Sequence, residues 1–189
     1  MKWLILNICF LFASLHNLKA QKVEKRDAAD ALNFIDNLTN PLKPSANNLT
    51  AYFHKLESIS NAGNDYRLSD VQIASLRSYY DNLIAVYDKA IKKATKNKTI
   101  DKFEGLKDNF LKLLKEGRKP WATIIPIYLK MFKKGKTLLS ISEQNIISKS
   151  GSLFISSADK ALNWAKLVAI QEDEIEKQYH LELIKDLYQ

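Results

Sequence analysis

From residue 69 to residue 94 the chain reads SDVQIASLRSYYDNLIAVYDKAIKKA, and its apolar side chains recur at alternating steps of three and four. Ile73, Leu76, Tyr80, Leu83, Tyr87, Ala90 and Ala94 therefore fall on one side of a 3.6-residue helix, with Ile84 and Ile91 widening the stripe. Ser69-Asp70-Val71-Gln72 carries the Ser-x-x-Gln spacing of a capping box at the start of that stripe. One helix of about seven turns with one buried face follows, and a helix of that kind demands partners for its apolar side.

The rest of the chain supplies them. Only 5 glycines and 4 prolines occur, at positions that read as helix punctuation, and no alternation of period two persists long enough to suggest strands. A first helix is expected over residues 24–38, stopped by the NPLKP turn where Pro41 and Pro44 block continuation. A second begins after Ser45 as cap and runs to about Asn61, ahead of Gly63. After the long third helix, a fourth spans about residues 100–116 with Phe103, Leu106, Phe110 and Leu113 inward, and stops at Gly117. A fifth starts near Pro120, is kinked or delayed by Pro126, and ends by Gly135. Residues 137–151 read ambiguously, with Ser142 and Glu143 suggesting a short helix. The last helix covers about residues 156–187, with Ala158, Ala161, Leu162, Ala165, Ala169, Leu183 and Leu187 facing the core. The fold class is all-α: an irregular antiparallel bundle of about five to six helices in one domain, residues 21–189, because short links favour antiparallel neighbours.

The first 20 residues, MKWLILNICFLFASLHNLKA, have the form of a cleaved secretory signal: a lysine at position 2, an apolar stretch over residues 3–15, and a polar segment ending at Ala20. That stretch is shorter than the roughly 20 residues needed to span a bilayer as a helix. The mature chain is expected to begin at Gln21 and to reside in a periplasmic or extracellular space. Cys9, the single cysteine of the sequence, leaves with the signal, so packing rather than a disulfide must hold the fold. Asn37, Asn48 and Asn97 stand in N-x-Thr sequons that a chain with this much Asn and Thr also produces by chance.

Charge is unevenly distributed. Of 29 basic and 21 acidic residues, the interval 86–136 holds 15 and 5, a local net charge of +10 within a chain of +8. Lys89, Lys92, Lys93, Lys96 and Lys98 form one run, and Lys130, Lys133, Lys134 and Lys136 a second. Two uses compete for them. They can form a surface for an anionic partner such as lipid head groups or polysaccharide. They can also serve the fold, since both runs close predicted helices, where cations meet the negative end of the macrodipole. Specific nucleic-acid recognition is disfavoured, because Arg118 is the interval's one arginine and its phenylalanines are needed for the core.

Catalytic chemistry has little to work with. The mature chain keeps His54 and His180 and no cysteine; no serine lies in a G-x-S-x-G context, and no glycine-rich phosphate loop exists. Metal ligation is the one enzymatic arrangement with any spacing behind it: His54 with Glu57, and Glu176 with His180, each pair within one helical turn or so. The sequence thus supports a non-enzymatic binding or structural protein, with a protein or anionic surface as partner and no cofactor. The alternative is a metal-binding helical-bundle enzyme using His54, His180 and nearby glutamates.

Overall fold

At the start of the long stripe the Ser69 Oγ accepts the Gln72 backbone N–H at 3.3 Å, while the Gln72 Oε1 accepts the Ser69 N–H at 2.9 Å. Both halves of the capping box are formed, and the helix they open runs Asp70–Lys96. The computed structural model describes residues 24–62, 67–135, 139–154 and 157–188. Every regular element in it is helical: α1 (Lys25–Thr39), α2 (Leu42–Ala62), α3 (Asp70–Lys96), a 3-10 turn (Ile100–Lys102), α4 (Leu106–Lys134), α5 (Ile141–Phe154) and α6 (Ser157–Leu187). The expected signal segment and Cys9 lie outside the described residues.

The stripe of α3 is buried as its spacing requires. Ile73, Leu76, Leu83, Tyr87, Ala90 and Ala94 are all in the core, with Tyr80 packed half-buried at its edge. Its principal partner is α4, and the two run antiparallel. Their register is pinned at three levels: Arg118 holds Asp88 through Nε at 2.7 Å, the Trp121 indole N–H donates to the Tyr87 hydroxyl, and the Leu68 N–H donates to the Phe132 carbonyl at 2.9 Å. Burial drives the Tyr87 phenol up to about 12, and the Trp121 bond only partly offsets it.

Helix α4 corrects the expectation of two helices divided at Gly117. It is continuous for 29 residues, with Gly117, Pro120 and Pro126 all inside it. The reason is packing. Leu106, Phe110, Leu114, Trp121, Ile125, Tyr128 and Phe132 keep one face aligned straight through the glycine and both prolines. Leu114, fully buried, takes the inward position expected of Leu113. Each proline lacks the N–H that would reach back four residues, leaving the carbonyls of Glu116 and Ala122 unbonded within the helix. The Glu116 residue is exposed and Ala122 half-buried, so water can reach both.

The break instead comes earlier, at Gly105, whose φ of 70° ends the connection from α3. That is the left-handed region, which glycine enters without the Cβ clash that penalises other residues. Helix α2 also packs on α3, where the Tyr52 ring lies 5.1 Å from Tyr79. Its start is also a correction: α2 begins at Leu42, so Pro44 sits in its first turn, where a missing N–H costs nothing. Ser45 is buried inside the helix and its Oγ accepts the Asn82 amide at 3.4 Å, rather than capping it.

Aromatic side chains also join α2 to α4. Phe53 meets Tyr128 edge to face at 4.6 Å and Phe132 at 6.0 Å, and both phenylalanines are fully buried. The segment read as ambiguous becomes α5, opened by another capping box: Glu143 N–H donates to Ser140 Oγ at 3.2 Å, and Ser140 N–H to the Glu143 carboxylate at 2.7 Å. Helix α6 lies against α1, α2 and α4 through Ile175 and Tyr179. Its last turns do not face the core as expected: Leu183 is 41% and Leu187 81% exposed. The side chains of Ala158, Ala161, Leu162, Ala165 and Ala169 lie outside the described residues. No described helix is long and apolar enough to cross a membrane.

Two substitutions report on this architecture. Phe53→Ala removes the ring at the centre of the α2–α4 contact and is expected to lower stability by about 3–5 kcal/mol in urea denaturation. Gly117→Ala should raise stability by about 0.5–1 kcal/mol, because the glycine is helical; a helix boundary there would make the same change destabilising.

Candidate functional site

Because α3 and α4 are antiparallel, the second half of α4 lies beside the first half of α3. There they leave an open cleft of about 600 Å³. Its floor is Ile73, Ala74, Pro126 and Leu129; its rim carries Arg77 on one helix and Lys130, Lys133 and Lys134 on the other. Asp70, Tyr80 and Asp81 complete the lining. Pro126 is set at this spot by the α4 stripe, which turns the neighbouring Ile125 and Tyr128 inward and leaves the proline ring on the open side.

The four cations are not equivalent. Lys130 is held by Glu143 through both carboxylate oxygens, at 2.9 and 2.8 Å, which ties α5 to α4. Those bonds, with the Ser140 N–H and hydroxyl, hold the Glu143 carboxyl down to about 2. Arg77, Lys133 and Lys134 form no ion pair among the described residues and are exposed. The cleft therefore presents three exposed cationic ends beside apolar side chains, moderated by Asp70 and Asp81. Such an arrangement can offer charge-assisted hydrogen bonds to an acidic group.

The two lysine runs are not one surface. Lys133 and Lys134 share the cleft with Asp70 and Arg77, whereas Lys92 is fifteen residues further along α3, ~22 Å at 1.5 Å per residue. Lys89, Lys92, Lys93, Lys96 and Lys98 are all exposed at the far end of the α3–α4 pair. Lys93 and Lys96 occupy the last turn of α3, and Lys133 and Lys134 the last turn of α4, so these four stand where the negative end of a helix dipole favours cations. Lys136 lies outside the described residues. Elsewhere in the basic interval, several cations are engaged by acids. Lys102 holds Asp27 of α1 at 2.6 Å, Lys107 holds Asp101 at 3.0 Å, and Arg118 holds Asp88. The Lys102 bond keeps the Asp27 carboxyl below its ordinary range, helped by the Glu24 N–H.

The histidines are also placed far apart. His54 is exposed and pairs with Glu57 at 3.5 Å on α2, next to the Phe53–Tyr128 contact. His180 and Glu176 are exposed on α6, beside Gln178, which bonds Glu104 at the opposite end of α4. From Leu106, next to that bond, to Tyr128 is twenty-two residues, ~33 Å of helix, so the two pairs do not share a ligand set. No group of three His, Cys, Asp or Glu suited to a metal ion occurs among the described residues.

Arg77 escaped the sequence reading, and Tyr80 was read only as part of the α3 stripe. Arg77 is one turn from a core position, and nothing local distinguishes it from other flanking polar residues. Its significance comes from the helix opposite, and only the α3–α4 register brings it. No family model, characterised protein or solved structure matches this chain.

The Glu143 carboxyl predicts a specific acid response. Its folded value of about 2 lies below its ordinary 4.5, so its stabilisation is complete above the latter and is lost as pH falls through the former. Melting temperatures of the wild type and Glu143→Gln should differ most at pH 5 and approach each other as pH falls toward 2.

Proposed function

We propose that this protein is an exported, non-enzymatic binding bundle, a single antiparallel domain over residues 21–189, which receives an acidic group of its partner in the α3–α4 cleft. The observation that carries this reading is the concentration of Arg77, Lys133 and Lys134, none held by an ion pair among the described residues, around an open cavity of about 600 Å³. Surface lysines in general attract anions weakly and are screened over about 10 Å at 0.1 M salt. Convergence on a cleft with an apolar floor adds shape, and with it the capacity to select. The signal-like first 20 residues direct the protein to a periplasmic or extracellular space, where carboxylate- and phosphate-bearing lipid head groups and polysaccharides are the abundant anionic surfaces.

Binding to immobilised heparin, a generic sulfated polyanion, measures whether the cleft or the overall charge is responsible. Arg77→Gln/Lys133→Gln/Lys134→Gln and the control Lys112→Gln/Lys115→Gln/Lys119→Gln each remove three positive charges. The cleft variant should elute at clearly lower salt than the control. Equal elution of the two would assign retention to net charge and overturn the cleft as the binding site.

A further inference from the structure

The lysine run at the end of α3 is not part of the cleft, and the opposite charge stands close beside it. From residue 170 to residue 188, α6 carries six acidic and two basic residues, a net charge of −4 in a chain of +8. The same segment displays Ile170, Leu181, Ile184, Leu187 and Tyr188 to solvent, the last two at 81% and 88% exposure. At 100° per residue, Ile170, Leu181, Ile184 and Tyr188 share one side of the helix, roughly opposite Ile175, which faces the core. Helix α6 thus has two apolar sides, and the bundle covers one of them.

Both charged features belong to the same end of the molecule. Nine residues, 97–105, join the lysine-bearing end of α3 to α4, and Glu104 within that link is bonded twice by the Gln178 amide, at 2.8 and 2.9 Å. Lys89, Lys92, Lys93, Lys96 and Lys98 are exposed there, and none forms an ion pair with α6 among the described residues. Acidic and basic surfaces are therefore displayed near each other without neutralising each other.

We propose that this end is a self-association surface, on which the acidic, apolar flank of α6 in one molecule meets the α3 lysines of a second copy. Because each molecule carries both halves at one end, a two-fold axis there satisfies both contacts at once and closes the assembly as a dimer. The exposed leucine and isoleucine side chains are covered in the same step, which gives the contact an apolar centre with a charged rim.

Sedimentation equilibrium of the full mature chain tests the proposal. A dimer is expected at low salt, with its dissociation constant rising at least tenfold between 50 and 500 mM NaCl. Two charge-reversed proteins decide the pairing: Asp173→Lys/Glu174→Lys/Glu176→Lys, and Lys92→Glu/Lys93→Glu/Lys96→Glu. Each alone should be monomeric with an unchanged helical circular dichroism spectrum, while their equimolar mixture re-forms a dimer. A wild type that is monomeric at all concentrations overturns the proposal, as does a dimer that both reversed proteins retain.

Discussion

The antiparallel contact between α3 and α4 is the constraint from which the remaining structure follows. Its register, held by Asp88 with Arg118 and by Tyr87 with Trp121, decides which side chains meet across the two longest stripes of the core. With that register set, Phe132 comes level with Leu68, Tyr128 meets Phe53 of α2, and Lys130 reaches Glu143 of α5. The exposed Arg118 pair contributes little energy by itself. Its importance is geometric: a slip of one turn would misalign every aromatic contact behind it.

The same register separates charge that the sequence places close together. Two lysine runs that lie within residues 89–136 become the two poles of a helical pair. One pole forms a cleft with Arg77, and the other stands next to the acidic α6. Like charges are thereby kept apart, which lowers their mutual repulsion in a chain with a large basic excess. Local neutralisation does the same work in the intervening region, where Asp27, Asp101 and Asp88 each hold a cation.

How much of this was legible in the sequence depended on whether the determinant was local. The Ser69–Gln72 capping box and the stripe from Ile73 to Ala94 are written within one helix, and they were readable to the residue. Gly117, Pro120 and Pro126 are breakers by local rules, yet the continuous apolar face of α4 overrode them. At α6 the periodicity marked Leu183 and Leu187 as apolar positions but could not say which of two apolar sides the bundle would cover. For the candidate site, Lys130, Lys133 and Lys134 stood out by clustering. Arg77 did not, since its neighbours in the cleft are some fifty residues away in sequence.

Pro126 gives the cleft a mechanical property. A helix with an absent rung in its hydrogen-bond ladder bends more easily at that point than an intact one. Proline occurs twice in α4 and nowhere in α3, and the second sits in the cleft floor. The two walls therefore differ in how they are held: the ladder of α3 is unbroken by proline, whereas the final turns of α4 are fixed by side chains, with Tyr128 and Phe132 buried against Phe53 and Lys130 tied to Glu143 of α5.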